Sequence, residues 1–328
     1  MKPIIDTRKE NNTYPHLPDK LMPRDQFIDM FESLLANNNM IFVSGISEGC
    51  GVTTALAMFV ERHCSECFSF FNDGFDLYSQ ESEVVEECLA RQIYLYNNNG
   101  SSFTGEHIDL ESQLPALKKT GCVFYFVFDG FDKLPKEKNE NMRKTIEKLN
   151  ARQFRFIFSG KKDDYSSLLS IGNLRVFDGV MLPLFRIDEV ENYFSPMIPE
   201  QEKNNLSTLA KMTGGNATLV DFFRQKIEEG IGLDKYLLSD CRTATDFFKS
   251  DLDDIKSLNK REDLLVIAFI AFAGIPMTQE SICNILGLET ESFSTILTES
   301  SAFLKDLPGH VAFKSVQGNC SVNPAIAV

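Results

Sequence analysis

Basic residues are scarce in this sequence. Its 328 residues include 33 Lys and Arg against 47 Asp and Glu, which gives a formal net charge of −14. Non-specific binding to nucleic acids depends on Lys and Arg neutralising phosphates, and adsorption to an anionic membrane depends on the same charges. The charge balance therefore argues against nucleic acid and against a membrane surface as partners.

Long apolar runs and paired cysteine motifs are also missing. The N-terminal residues show no apolar core of signal-peptide length, and the longest apolar run, residues 264–277, is interrupted by Gly274 and Pro276. Eight cysteines are scattered along the chain, and the lone CxxC at residues 64–67 has no second pair at zinc spacing. These features predict a cytoplasmic protein with reduced thiols and no membrane span.

Apolar strand-like runs alternate with helical patterns in the first half of the chain. The runs lie at residues 40–43, 67–71, 122–128, 154–158 and 180–182. Strands that are apolar throughout and alternate with helices are typical of a parallel sheet covered on both faces. We therefore predict an α/β domain over residues 23–182, preceded by an extended lead-in over residues 1–22.

The pattern becomes helical after Pro183. Helical spacing occurs at residues 187–194, 200–212, 218–229 and 244–258, which predicts a helical domain over residues 183–259. From residue 260 onward, three further helical patterns precede a turn and a short strand. Three helices closed by a hairpin is the element order of a winged helix, which we predict for residues 260–328.

A glycine-rich loop follows the first strand. The segment GISEGCGVTT, residues 45–54, leads directly into a helical pattern. Glycines allow a tight turn that points successive N–H groups at an anion, and the helix N-terminus adds its dipole. This context predicts a phosphate-binding loop in which the hydroxyl of Thr53 is a magnesium ligand, with Thr54 beside it.

This loop departs from the usual GxxxxGK[ST] pattern in two ways. Val52 occupies the position of the lysine, and the first glycine is Gly45 instead of residue 46, so the loop is longer by a residue. Valine provides no charge for the β- and γ-phosphates. We expect weaker nucleotide binding and a still larger loss of phosphoryl-transfer activity. The alternative is an ordinary strand-to-helix turn that binds nothing.

An acidic turn supports the nucleotide-site interpretation. Asp129 follows the apolar run CVFYFVF directly, and Asp132 comes three residues later. An aspartate at the carboxyl end of a strand holds Mg²⁺, usually through water, opposite the hydroxyl of a phosphate loop. A second acid nearby orients attacking water. We therefore predict Asp129 as a magnesium residue and Asp132 as a catalytic one.

Taken in order, these segments resemble the STAND class of P-loop NTPases, including its NACHT-like members, within the AAA+-like ATPases. GISEGCGVTT, FVFDGFDKL and FRFIFSGKK resemble the Walker A, Walker B and sensor strands. MLPLFRIDEVENYF resembles the start of the helical domain, and KMTGGNATLVDFF resembles the segment that carries a Gly-x-Pro nucleotide sensor. In this chain Asn216 and Ala217 stand in place of x-Pro.

The resemblance implies an ATP or ADP site with Mg²⁺. It places Arg24 near the adenine, and within residues 159–162, where members carry a polar or arginine sensor, we assign Lys161. It assigns Mg²⁺ to Thr53 and Asp129. The phosphate-loop positions that it implies are Gly45, Gly49, Cys50, Gly51, Val52, Thr53 and Thr54.

Three functions follow as hypotheses. The leading one is a nucleotide-dependent regulatory switch in signalling or defence, with weak or no hydrolysis because of Val52, acting through protein partners or self-assembly. The second is a pseudo-NTPase that serves as a protein-interaction scaffold and binds no nucleotide. The third is a DNA-binding ATPase of the AAA+ origin-recognition type, against which the acidic composition argues.

Overall fold

The chain divides into two units. The first comprises Met1–Ile46 and Gly51–Leu182, and the second comprises Ser47–Cys50 and Pro183–Val328. The glycine-rich loop is thus shared in sequence between the two. The computed structural model describes residues 4–15, 17, 20–72, 81–133, 136–165, 168, 171, 174–230, 237, 246–247, 249–250, 253, 256, 261–273, 277–299, 304–307 and 310–313.

A five-stranded parallel sheet forms the centre of the first unit, as the alternating pattern predicts. Its strands are β1 (Met40–Gly45), β2 (Cys67–Phe71), β3 (Phe124–Asp129), β4 (Phe154–Ser159) and β5 (Val176–Leu182), in the spatial order β2-β3-β4-β1-β5. The helices are α1 (Asp25–Asn37), α2 (Val52–Arg62), α3 (Ser82–Asn97), α4 (Leu110–Thr120) and α5 (Lys136–Leu149). β1 is interior, which brings the loop that follows it close to the ends of its neighbours.

The two faces of the sheet have different side chains. Alternate residues of a strand point to opposite faces, so Phe126 and Phe128 lie among the apolar residues of α3, α4 and α5. Val127 and Ile157 instead lie among those of α1 and α2. On the phenylalanine face, the rings of Phe128 and Phe158 stack with centroids 4.9 Å apart. Burial on both faces explains why these strands are apolar throughout.

The N-terminal residues contact the edge strand β2 through side-chain hydrogen bonds. A 3₁₀ helix spans Thr7–Glu10, where an extended segment is expected from the sequence. The Thr7 hydroxyl donates to the carbonyl of Cys67 at 2.6 Å, and the Asn11 amide donates to the carbonyl of Ser69 at 2.9 Å. Because β2 is an edge strand of the sheet, this segment protects an edge that would otherwise be open to pairing.

Replacing Asn11 by alanine should lower the free energy of unfolding by about 1–3 kcal/mol, because it leaves buried partners unsatisfied. The Asn11 amide nitrogen also donates to the Ser69 hydroxyl at 2.8 Å, and its oxygen accepts from the Thr13 backbone at 3.0 Å. Urea denaturation measures the loss. Asn12→Ala, at the exposed neighbouring position, is the control and should change stability little. Equal stability of both variants would mean that the segment does not hold the edge.

The second unit is helical and ends in a hairpin. Its elements are α6 (Ile187–Phe194), α7 (Leu206–Thr213), α8 (Ala217–Glu228), α9 (Arg261–Ala273), α10 (Gln279–Leu286), α11 (Thr290–Glu299), β6 (Leu304–Leu307) and β7 (His310–Phe313). The helix predicted over residues 200–212 is a 3₁₀ helix, Glu200–Asn205, followed by α7. The helix predicted over residues 244–258 lies mostly outside the described residues.

The last elements pack around their own apolar cluster. β6 and β7 are antiparallel, and Met277 makes an isolated bridge with Val311 on β7. Val266 of α9, Ile282 of α10 and Phe293 of α11 are buried together with Val311. Three helices followed by a hairpin is the predicted element order, while the identification of a winged helix stays a prediction. No helix in the described part of the chain combines the length and apolar character that crossing a membrane requires.

Candidate functional site

The carboxyl ends of three neighbouring strands meet at one edge of the sheet. β4 lies between β1 and β3, with Val43 opposite Ser159 and Phe128 opposite Phe158. All three strands run in the same direction, so the residues that follow them emerge at the same edge. In open parallel sheets this edge is where ligands bind.

The two predicted magnesium residues are in contact at this edge. The Thr53 hydroxyl, in the first turn of α2, donates a hydrogen bond to Oδ2 of Asp129 at 2.6 Å. Asp129 ends β3 and is 6% exposed. Hydroxyl and carboxylate oxygens are the ligand types that Mg²⁺ prefers in proteins. The residues present therefore fit this ion.

The turn after Asp129 is held tightly against its neighbours. Gly130 has a φ of +77°, and a Cβ at this position would lie 2.0 Å from the carbonyl oxygen of Asn72. The Gly130 N–H donates to the hydroxyl of Ser159, at the end of β4, at 2.8 Å. These contacts fix the path of the chain from Asp129 towards Asp132.

Asp132 lies against the turn that follows β4. A Cβ on Gly160 would lie 2.4 Å from the Cβ of Asp132. In the same turn, the Tyr165 hydroxyl donates to the carbonyl of Ser159 at 2.7 Å. Burial raises the pKa of Tyr165 well above its usual value, and the charges of Asp132 and Asp129 add to the shift. Tyr165 is thus a protonated donor that holds the end of β4 through the Ser159 carbonyl.

The start of α2 has the features of an anion-binding helix terminus. Gly51 precedes the helix with a φ of +90°, and among the described residues no side chain caps the helix and no acid lies in its first turn. The N–H groups of a first turn have no partner within the helix. Val52 packs against the apolar cluster that α1 and α2 cover, where it offers no charge. Thr54 is half-buried.

The middle of the glycine-rich loop belongs to the second unit. Gly49 has a φ of +73°, and Cys50 is buried. The carbonyl of Gly49 accepts from the N–H of Thr218 at 3.1 Å, and the carbonyl of Glu48 accepts from the Asn216 amide at 2.8 Å. Asn216 precedes α8. The loop carbonyls in this segment are therefore bound to the start of that helix.

Two other residues predicted to contact nucleotide, Arg24 and Lys161, make different contacts from those described above. Arg24 is buried at the start of α1, and its guanidinium lies 5.6 Å from the centroid of the Phe27 ring. Lys161 is exposed, and its backbone N–H donates to the Asp164 carboxylate at 2.8 Å. Their roles towards a nucleotide stay predictions, as does that of Gly45 at the end of β1.

Two residues that support the acidic turn are not among those predicted from the sequence. Lys161 is the residue predicted within residues 159–162, whereas Ser159 makes the contact with the acidic turn. Ser159 could have been predicted, because it is a hydroxyl residue at the end of an apolar strand, as Asp129 is an acidic residue at the end of another. Tyr165 gave no signal, since its support depends on the fold of the turn after β4.

The fold of the chain is similar to that of solved ATPases. No protein-family model matches the chain, and no curated protein matches it in sequence. Among solved structures, it is similar to a STAND protein with a tetratricopeptide-repeat sensor from Pyrococcus horikoshii, with a TM-score of 0.58 and 12% identity. That match covers 94% of this chain and 44% of the other, so this chain spans less than half of that protein's length.

A second match covers both chains almost fully. The Walker-type ATPase of Pyrococcus abyssi has a TM-score of 0.52 and 13% identity, with 93% of this chain and 97% of the other covered. At these identities the likeness concerns the fold alone, and it supports the predicted α/β fold with a parallel sheet. The Orc1 protein of Aeropyrum pernix, solved in complex with DNA, matches with a TM-score of 0.45 over 94% of this chain and 95% of that one, at 14% identity. The prediction from net charge that nucleic acid is not a partner stays a prediction.

Proposed function

We propose that this chain is a STAND-type regulatory switch that binds ATP or ADP with Mg²⁺ and hydrolyses it weakly or not at all. The observation that carries the proposal is the 2.6 Å hydrogen bond between Thr53 and Asp129 at the carboxyl edge of the sheet. Thr53 would hold the ion through its hydroxyl, and Asp129 would do so through water. Bound Mg²⁺ would neutralise phosphate charge.

The start of α2 supports phosphate binding. Gly51 has the positive φ that a tight loop requires, and the first turn of α2 contains no acidic residue that would repel an anion. N–H groups at a helix terminus, together with the helix dipole, favour a phosphate at this point. Because residues 45–54 are one continuous stretch, we propose that their N–H groups surround the phosphates.

The composition of the site favours binding over turnover. Asp132 follows the magnesium residue and is our candidate for orienting water. The charge that develops on the transferred phosphoryl group needs a fixed cation, which the lysine of a phosphate loop normally provides. Val52, which is partly buried and packs against the apolar cluster, supplies no such cation. Nucleotide exchange, with the helical (183–259) and winged-helix (260–328) domains as responding parts, is therefore our proposed mode of action.

Calorimetry with ATP and with ADP, each with Mg²⁺, tests the proposal directly. We expect binding to at least one nucleotide with a Kd well below millimolar. A switch also requires that the two nucleotides favour different arrangements, so their affinities should differ. Binding weaker than about 1 mM for both, equivalent to roughly −4 kcal/mol, would rule out a nucleotide switch.

Val52→Lys should tighten ATP binding by about tenfold or more, because it restores the point charge that contacts the β- and γ-phosphates. Val52→Met is the matched control, since it has an unbranched side chain of similar reach and no charge. Titration of all three proteins with ATP and Mg²⁺ measures the effect. An unchanged affinity in Val52→Lys would show that residues 45–54 do not surround phosphates.

The same pair of variants distinguishes the scaffold alternative. The observation that favours a scaffold is that the uncharged Val52 packs against the apolar cluster at the position where a phosphate loop carries its lysine. If ATP binds to Val52→Lys and neither to the natural protein nor to Val52→Met, the natural protein has kept the fold and lost the ligand. Protein partners or self-assembly would then be its function.

A further inference from the structure

We infer that Asn216 is a positioning residue for the phosphate-binding loop, which it holds in the shape that binds an anion. Its role in nucleotide binding rests on the function proposed above, whereas its role in fixing the loop does not. Both ends of its side chain are used. Nδ2 donates to the carbonyl of Glu48 at 2.8 Å, and Oδ1 accepts from the N–H groups of Thr218 at 3.0 Å and Leu219 at 3.3 Å.

The Asn216 side chain therefore both caps a helix and contacts the glycine-rich loop. Its oxygen caps the N-terminus of α8, for which asparagine is among the preferred residues. Its nitrogen reaches a loop 168 positions earlier in the chain. A second bond reinforces the first, since the N–H of Thr218 also donates to the carbonyl of Gly49 at 3.1 Å. Two consecutive loop carbonyls are thus fixed by the start of one helix.

Gly49 shows how closely the loop and α8 are fitted. A Cβ at this position would lie 2.7 Å from Oδ1 and 2.8 Å from Nδ2 of Asn216, and 2.9 Å from the Thr218 hydroxyl. Its φ of +73° also disfavours any side chain. The positive φ favours glycine here, and a methyl group at this position would displace the Asn216 amide from its contacts with the loop.

Fixing the carbonyls also fixes the N–H groups. A trans peptide unit is planar, so its C=O and its N–H point in opposite directions. The Glu48 carbonyl shares a peptide unit with the Gly49 N–H, and the Gly49 carbonyl shares one with the Cys50 N–H. With both carbonyls bound at α8, both N–H groups point away from it. Consecutive N–H groups on one side of the backbone are the arrangement with which loops bind anions, and it is the arrangement that we infer here.

Asn216→Ser separates the two tasks of the side chain. Serine is also a preferred helix cap, so α8 should keep its stability. It is too short to reach Glu48, so the loop contact is lost. The matched control is Asn205→Ser at the start of α7, where among the described residues the cap makes no side-chain hydrogen bond. Both variants are made in the full chain.

Backbone ¹⁵N relaxation of the nucleotide-free protein is the primary test. In the natural protein and in Asn205→Ser, the order parameters of the Gly49 and Cys50 N–H vectors should be near the rigid value of about 0.85, and in Asn216→Ser they should fall below about 0.6. The unfolding midpoint of Asn216→Ser should equal that of the control. Unchanged order parameters, or a lowered midpoint with uniform loosening of the unit, would overturn the inference.

Titration with ADP and Mg²⁺ then links positioning to binding. Asn216→Ser should bind about fivefold more weakly, equivalent to about 1 kcal/mol, the typical net contribution of a hydrogen bond. If the natural protein binds no nucleotide while the loop becomes mobile in Asn216→Ser, the proposed function fails and the positioning role stands. If the natural protein and Asn216→Ser bind equally and both loops are rigid, the positioning role fails alone.

Discussion

Gly130→Ala should lower the free energy of unfolding by at least about 3 kcal/mol, as the sum of backbone strain and a steric conflict. The φ of +77° disfavours any L side chain, and the added Cβ would lie 2.0 Å from the carbonyl oxygen of Asn72. Asn72 directly follows β2, and its N–H donates to the carbonyl of Asp129 at 2.9 Å. The ends of β2 and β3 would have to separate to admit the methyl group.

Gly121→Ala separates strain from steric conflict. Gly121 has a nearly identical φ of +70°, and an added Cβ would meet no atom within 4 Å. This variant should lose about 1–2 kcal/mol, the cost of a left-handed backbone for an L residue. Chemical denaturation of both proteins gives the difference. Equal losses in the two variants would contradict the close packing of the acidic turn against β2.

The glycine-rich loop and the acidic turn could be identified from sequence because each depends on local chemistry. The apolar run at residues 122–128 indicates a buried strand, which in the structure begins at Phe124, after the exposed Cys122 and Val123. Asp129 is the last residue of that strand, as its place after the run predicts. The order of strands was not available in the same way. That β4 lies between β1 and β3 is decided by packing over the whole unit.

Helix α4 shows where local rules fail. It is not among the elements predicted from the sequence, and it contains Pro115, which usually interrupts a helix. In the structure Asp109 caps the helix, and Leu114 and Leu117 are buried against the sheet, whereas Pro115 is exposed. Proline removes one backbone hydrogen bond from the helix, and burial of the leucines outweighs this loss. Tertiary packing has overridden propensity.

Asn216 illustrates the same limit at the candidate site. An asparagine before a helical pattern is a recognisable cap, and the sequence also shows it in the segment where a Gly-x-Pro sensor is expected. Its second partner, the carbonyl of Glu48, is a backbone atom. Backbone atoms have no sequence signature, so only the three-dimensional arrangement reveals the contact.

Asp129→Asn should weaken magnesium-dependent nucleotide binding by about 10–100-fold, the range that loss of a residue supporting a metal typically costs. Asparagine has the same shape and keeps an oxygen that accepts from the Thr53 hydroxyl, so the turn should keep its structure. What disappears is the negative charge facing the ion. The measurement is the Kd for ATP with Mg²⁺ and again with a chelator. The Kd with chelator divided by the Kd with Mg²⁺ should fall towards one in the variant.

Asp163→Asn controls for the change in net charge. Asp163 is exposed in the 3₁₀ turn Lys162–Tyr165 after β4, and its neutralisation should leave the ratio unchanged. Thr53→Val should reproduce the effect of Asp129→Asn, since it removes the hydroxyl that we assign to the ion, while Thr53→Ser should not. If Asp129→Asn and Thr53→Val both bind with an undiminished dependence on Mg²⁺, the 2.6 Å bond between these residues is only structural. The ion would then have to be held elsewhere, because two residues that share one cation cannot both be dispensable for it.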